Sequence, residues 1–170
     1  MSKAQEPEII TLKPKKLIGF RVYLESINTE DLVREIIAQW EINFPSFYKT
    51  LKENNQLDNL VSEMGYDVPE ALGESRWHFI MVEVHSRLRL HFSVGMKDIR
   101  AGLAAKLIVN SYEEAEQKFE DFLETWLDDN HYELSNNKHF LKFSSMWNPK
   151  PPFECYFPIK KKRGKRKTTP

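Results

Sequence analysis

The chain has 170 residues, 41% of them hydrophobic and 29% charged, enough for one domain with a sizeable core. No apolar run approaches the ~20 residues of a membrane span, and the N-terminus has no apolar signal core. A single cysteine, Cys155, excludes an internal disulfide and points to a cytoplasmic protein.

The net charge of zero hides an asymmetry. Seven of the 25 basic residues fall between Lys160 and Lys167, which leaves the body with 18 basic against 25 acidic residues. A body that acidic repels phosphate backbones and suits a cationic ligand, so direct nucleic-acid binding is expected only through the basic tail.

In chain order, EIITLKPKKLIGFRVYLE (8–25) reads as a strand, a turn at Pro14 and a longer strand that sets Ile18, Phe20, Val22 and Leu24 on one face. Gly19, Arg21 and Tyr23 take its other face. Asn28 or Thr29 then caps a helix with Glu30 and Asp31 in its first turn, where the helix dipole favours acids. Its apolar stripe is Leu32, Val33, Ile36, Ile37 and Trp40, and Pro45 predicts an interruption before a second helix begins at SFYKTLKENN. Residues 55–76 read as irregular, with a short helix at LDNLVSEM and loop signals at Gly65, Pro69 and Gly73.

RWHFIMVEV (76–84) is apolar on both faces and predicts a central strand, with His78, Ile80, Val82 and Val84 opposite Trp77, Phe79, Met81 and Glu83. RLRLHFS (87–93) is its expected hairpin partner. AGLAAKLIV (101–109) is a further strand, followed by a capping-box pattern at Ser111 and Glu114 and a helix striped by Ala115, Phe119, Phe122, Leu123 and Trp126. Three short strands close the chain: around Tyr132–Leu134, at HFLKFS, and at FECYFPI.

The two long helices echo each other at an offset of 86 residues, which sets Val33 on Phe119, Ile36 on Phe122 and Trp40 on Trp126. Phe20 falls on Lys106 at that offset, so the strand register slips between copies. The echo predicts a duplicated strand–helix–strand–strand unit: an α+β fold with a mostly antiparallel sheet and two main helices on one face. Trp77, Phe79 and Met81 then point to the other face, which loops, a partner subunit or a ligand must cover.

The segments ITLKPKKLIGFRV, HFIMVEV, VGMKDIRAGLAAKLIV, ETWLDDNHYEL and FECYFPIKK, in this order and spacing, resemble the GyrI-like small-molecule-binding family, the effector-binding domain of AraC- and MerR-type multidrug regulators of bacteria. The likeness spans roughly residues 8–161. It implies a single effector-binding domain over 1–160; the charge block at the terminus predicts 161–170 as a basic disordered tail. It also implies an aromatic-lined cleft between the halves, on the sheet face away from the helices, for bulky hydrophobic and often cationic compounds. Some family members are similar to cyclopropanoid hydrolases.

The family hallmark is a buried glutamate in a Phe-Glu-x-Tyr motif, and the matching stretch here is Phe140-Leu141-Lys142-Phe143. Leucine cannot neutralise an ammonium or take a proton, so an acid must come from elsewhere, with Glu154 and Glu83 as the candidates. The expected ligand-binding set is Tyr23, Trp77, Phe79, Met81, Glu83, Leu141, Glu154 and Tyr156.

Trp40 and Trp126, on helix stripes, are expected in the core, and Cys155 as an inert packed thiol. The five histidines show no metal-ligand spacing, no glycine-rich phosphate loop exists, and no nucleophile elbow occurs, so neither catalysis nor a cofactor is expected. The leading expectation is a stand-alone binder of small hydrophobic or cationic molecules, acting alone or with a separate DNA-binding regulator. The alternatives are a hydrolase using the same cleft, and an interaction protein using the basic tail.

Overall fold

The computed structural model describes residues 6–26, 28–70, 76–86 and 95–163. Among the described residues, nine strands and two long helices form the α+β architecture expected: β1 (Glu8–Leu12), β2 (Lys15–Tyr23), α1 (Thr29–Glu53), β3 (Gly65–Pro69), β4 (Trp77–Val84), β5 (Gly95–Ile99), β6 (Gly102–Val109), α2 (Tyr112–Asp121), β7 (Tyr132–Leu134), β8 (Phe140–Phe143) and β9 (Phe153–Lys161). Every pairing among them is antiparallel, in the order β1-β6-β9-β8-β3-β4-β2-β5, with β7 added to β9.

The duplication is plain in this order. β2-α1-β3-β4 and β6-α2-β8-β9 are the two units, joined where β3 pairs β8. Placing Gly19 on Lys106, Met81 on Tyr156 and Asp67 on Leu141 satisfies the registers of both units. Gly19 and Tyr66 both oppose Met81, while Lys106 and Phe140 both oppose Tyr156. Between the leading strands β2 and β6 the offset is thus one residue longer than the helix echo, which is the slip visible in the sequence.

β1 precedes β2 but pairs with β6, and β5 precedes β6 but pairs with β2. The units therefore exchange their leading strands. The expected hairpin partner of β4, residues 87–93, lies outside the described residues, and both edges of β4 are already taken by β2 and β3.

α1 corrects one expectation: it runs unbroken through Pro45. An interior proline costs about 3 kcal/mol, yet Phe44, Phe47 and Leu51 are all buried around and beyond it. Each such side chain returns roughly 1.5–3 kcal/mol on burial, so docking outweighs the lost hydrogen bond. At the N-terminus the expected cap is present, with Asn28 Oδ1 accepting from the Asp31 amide at 2.8 Å. At α2 the capping box is half formed: Glu114 accepts from the Asn110 amide, but Ser111 makes no side-chain cap bond.

α2 passes into a π turn, Phe122–Trp126, and ends in Leu127–Asp129. The extra residue moves the buried position from Trp126 to Leu127. Trp126 is therefore only half-buried, stacked on Phe122 and Tyr132 at 5.4 and 5.9 Å, whereas Trp40 is fully buried as expected.

The segment read as irregular contains β3. Gly65 opens it because the Trp40 ring lies over that backbone: a Cβ there would stand 2.5 Å from Cη2 of Trp40. The expected helix at LDNLVSEM is reduced to one turn, Leu57–Asn59.

The helices cover one face of the sheet, over Ile18, Val22, Ile80, Val82, Leu107, Phe153 and Phe157. The opposite face is closed by the curl of the sheet itself. Leu12 of β1 and Ile99 of β5 join Leu17 and Ala104 in a second cluster with Tyr66, Phe79, Met81, Phe140 and Tyr156. At the C-terminal end, β9 runs through Lys161, so the expected tail boundary falls inside a strand. The Lys162 amide donates to the His131 carbonyl at 2.9 Å. No described helix is long and apolar enough to cross a membrane.

Candidate functional site

A cavity of about 200 Å³ lies on the helix side, where the two units meet. Its roof is apolar: Leu32, Val33 and Ile36 come from the first two turns of α1, Phe119 from α2 and Leu123 from the π turn. Its floor is the central strands. β3 and β8 contribute Asp67 and Leu141, which oppose each other in register, and β9 contributes Cys155 and Phe157. His78 of β4 and His139, just before β8, complete the polar lining with the Thr29 hydroxyl.

Asp67 and His78 are the buried charged pair of this floor, 2% and 4% exposed. Both Asp67 oxygens face His78 Nδ1, at 2.9 and 3.2 Å. Burial alone would push the His78 pKa down, but the Asp67 charge and hydrogen bond, helped by Glu35, hold it above the ordinary value. Glu35 is fixed by the Glu25 and Ser26 amides at 2.7 and 2.9 Å, and burial, which would raise its pKa, is outweighed by these donors and the Ser26 hydroxyl.

His139 behaves in the opposite way. Its ring stacks on Phe157 at 5.7 Å, and burial pushes its pKa down, against the pull of Asp67 and with the push of the His78 and Lys138 charges. Burial also pushes the Cys155 thiol up, so it stays protonated, as expected of a packed cysteine.

Of the eight residues expected at a ligand site, Leu141 lines this cavity. Phe79, Met81 and Tyr156 sit in the second cluster on the opposite sheet face. Glu83, also on that face, lies 3.4 Å from Lys15 Nζ and accepts the Tyr66 hydroxyl at 3.1 Å. Glu154 accepts the Tyr156 hydroxyl at 2.6 Å and lies 3.4 and 3.8 Å from Lys106 and Lys142. Burial would raise its pKa, but that hydroxyl and the two ammonium groups hold it low. Tyr23 and Trp77 pack edge to face at 5.1 Å at the end of the β2–β4 pair, with the Arg21 guanidinium 4.0 Å above the indole.

Sequence reasoning missed Asp67 and His78 as a unit. One signal was available: His78 is a polar side chain on the otherwise apolar inner face of a central strand, and such a group needs a buried partner. Among the described residues no cluster of His, Cys, Asp and Glu is arranged to hold a metal.

No protein-family model matches the sequence, and no curated protein is recognisably similar to it. Solved structures do match. The C-terminal domain of EcmrR superposes with a TM-score of 0.62 at 15% identity, over 92% of this chain and 98% of that one. SAV2435 bound to tetraphenylphosphonium matches with a TM-score of 0.56 at 15% identity, covering 92% and 94%.

The chain has the GyrI-like fold.

It spans 57% of the length of EcmrR as seen in its complex with DNA, where the TM-score is 0.59 at 15% identity over 92% of this chain. A hydrolase from Listeria innocua shares the GyrI-like fold more distantly, with a TM-score of 0.52 at 10% identity over 94% of each chain.

Proposed function

We propose that this protein binds a small, mostly apolar molecule of one or two rings in the cavity between α1 and α2. The observation that carries the reading is the lining. Both units contribute apolar side chains to one partly open cavity, and the Asp67–His78 pair is its buried charged feature. This is the pattern of a binding pocket: apolar walls with a few convergent polar groups. Size narrows the ligand. Drug-sized compounds take cavities of about 300–1,000 Å³, whereas a cavity of roughly 150 Å³ accepts benzene. At about 200 Å³ the space suits something nearer the second.

Of the residues expected at the site, this reading keeps Leu141 and adds Asp67, which opposes it in register. The acid that the family places on β8 is supplied here by the other unit's β3. The setting of the neighbours, a DNA-bound regulator and a protein holding a lipophilic cation, supports a role in sensing or sequestering such molecules in the cytoplasm. For sensing, a DNA-binding regulator is the proposed partner.

The test uses two isosteres, trimethylphenylammonium and tert-butylbenzene, in thermal-shift and calorimetric titrations. At least one should raise the melting temperature and bind at a single site. Leu123→Trp, a change at a half-exposed position on the cavity wall, should fold normally and weaken that binding. Unchanged affinity in Leu123→Trp would place the ligand elsewhere. Hydrolysis of aryl esters abolished by Asp67→Asn would favour the hydrolase reading, and salt-sensitive binding that requires residues 164–170 would favour the tail.

A further inference from the structure

The cavity floor holds a carboxylate that already has a counter-charge of its own. Asp67 is buried, and His78 Nδ1 on the adjacent strand faces both of its oxygens. A buried carboxylate without a cation is costly, so when His78 is protonated the pair is close to neutral and the cavity presents no net field. When His78 is neutral, its ring still donates Nδ1–H to Asp67, but the carboxylate charge is uncompensated.

We propose that the His78 imidazolium is a resident stand-in for a ligand cation, and that an organic cation entering the cavity takes over Asp67 while His78 releases its second proton to solvent. Charge balances in this exchange: one positive group enters, one proton leaves from Nε2, and Asp67 remains a carboxylate throughout. The inference rests on the binding reading above and adds the condition under which a fixed organic cation binds: the release of a proton from His78.

The surrounding groups single out His78 as the group that changes charge. From α1, Glu35 lies near enough to favour the imidazolium, and the Thr29 hydroxyl carries no charge. α2 and its π turn present only Phe119 and Leu123 to the cavity. Just before β8, burial pushes the His139 pKa down, away from the imidazolium, and from β9, Cys155 stays a thiol. His78 itself titrates above its ordinary value of 6.5 because Asp67 and Glu35 outweigh its burial, so the exchange reaches into the neutral range.

The direction follows from linkage. Where His78 is protonated in the free protein, binding a fixed cation expels up to one proton, so its affinity rises by up to about tenfold per pH unit. Above the His78 pKa the affinity levels off. A neutral isostere displaces no charge and shows no such slope.

The experiment is calorimetry of trimethylphenylammonium, which carries no proton of its own, and tert-butylbenzene between about pH 5.5 and 8.5. Each titration is run in two buffers of different ionisation enthalpy, so that released protons are counted directly. The expected result is a dissociation constant for the cation that falls at least about tenfold across the range, with 0.5–1 proton released near the acid end. The neutral compound should change less than about twofold. His85→Gln, at an exposed position outside the cavity lining, should keep the wild-type profile, and His78→Gln should abolish both slope and proton release. A wild-type titration of the His78 ring signals by NMR avoids dependence on any variant: the bound cation should lower the His78 pKa, and the neutral compound should not. Cation binding that is flat with pH and releases no proton overturns the exchange while leaving the pocket intact. Failure of both compounds to bind overturns the exchange and the binding reading together.

Discussion

Replacing Asp67 by asparagine keeps the shape of the side chain and one hydrogen-bond acceptor while removing its charge. In the wild type that charge faces His78 at 2.9 Å in a site almost closed to water. Hydrogen bonds involving an ionised group contribute about 1.5–3 kcal/mol, and neutral ones about 0.5–1.5. The folded His78 has a pKa above its unfolded value of 6.5. The stability it contributes is therefore fully present below that value and is lost as pH rises through the folded one. Asp67→Asn should thus cost about 1.5–3 kcal/mol near pH 5.5 and shrink to about 0.5–1.5 kcal/mol near pH 8.5. Urea unfolding of both proteins, followed by tryptophan fluorescence at five pH values, measures the difference. A cost that stays constant across the range, or grows with pH, would refute the view that a protonated His78 is what Asp67 stabilises.

Two further outcomes follow from the packing around Trp40. Gly65→Ala should destabilise by about 1–3 kcal/mol, the range for overpacking, since its Cβ meets rigid indole carbons; the double variant with Trp40→Phe should recover part of the loss in urea midpoints. Trp40→Ala should cost about 3–5 kcal/mol, because it empties a buried site and strands the Met146 carbonyl that accepts the indole N–H at 2.7 Å. Trp126→Ala, half-buried beyond the π turn, should cost less than half as much by the same measurement.

Most strands were legible because their apolar alternation is local. β2, β4, β6 and β9 carry period-two patterns long enough to show. β3 does not. It is five residues long, begins at Gly65, ends at Pro69 and carries a charge in the middle, so every local signal reads as loop. What makes it a strand is non-local: Trp40 needs a residue without a side chain beneath it, and β4 and β8 flank it on both edges. Asp67 was hidden for the same reason. The likeness to a family located Leu141 but gave no means to see which residue of the other unit would oppose it. The π turn was equally invisible, because it breaks the 3.6-residue period by one residue inside a stripe that otherwise looks regular.

The exchange of β1 and β5 between the units has a consequence for how the molecule is made. Glu8–Leu12 finds its partner only at Gly102–Lys106, some ninety residues later, so the first strand emerges from the ribosome long before there is anything for it to pair with. Neither unit can complete its sheet from its own sequence, since each edge is finished by the other's leading strand. Loop closure over such a span precedes any reward from the contact, which places the domain among slow, all-or-none folders. A chain cut between β4 and β5 should yield two fragments that remain unstructured apart and regain structure only on mixing. The cavity between the helices is lined by both units, so it exists only once the two halves have docked.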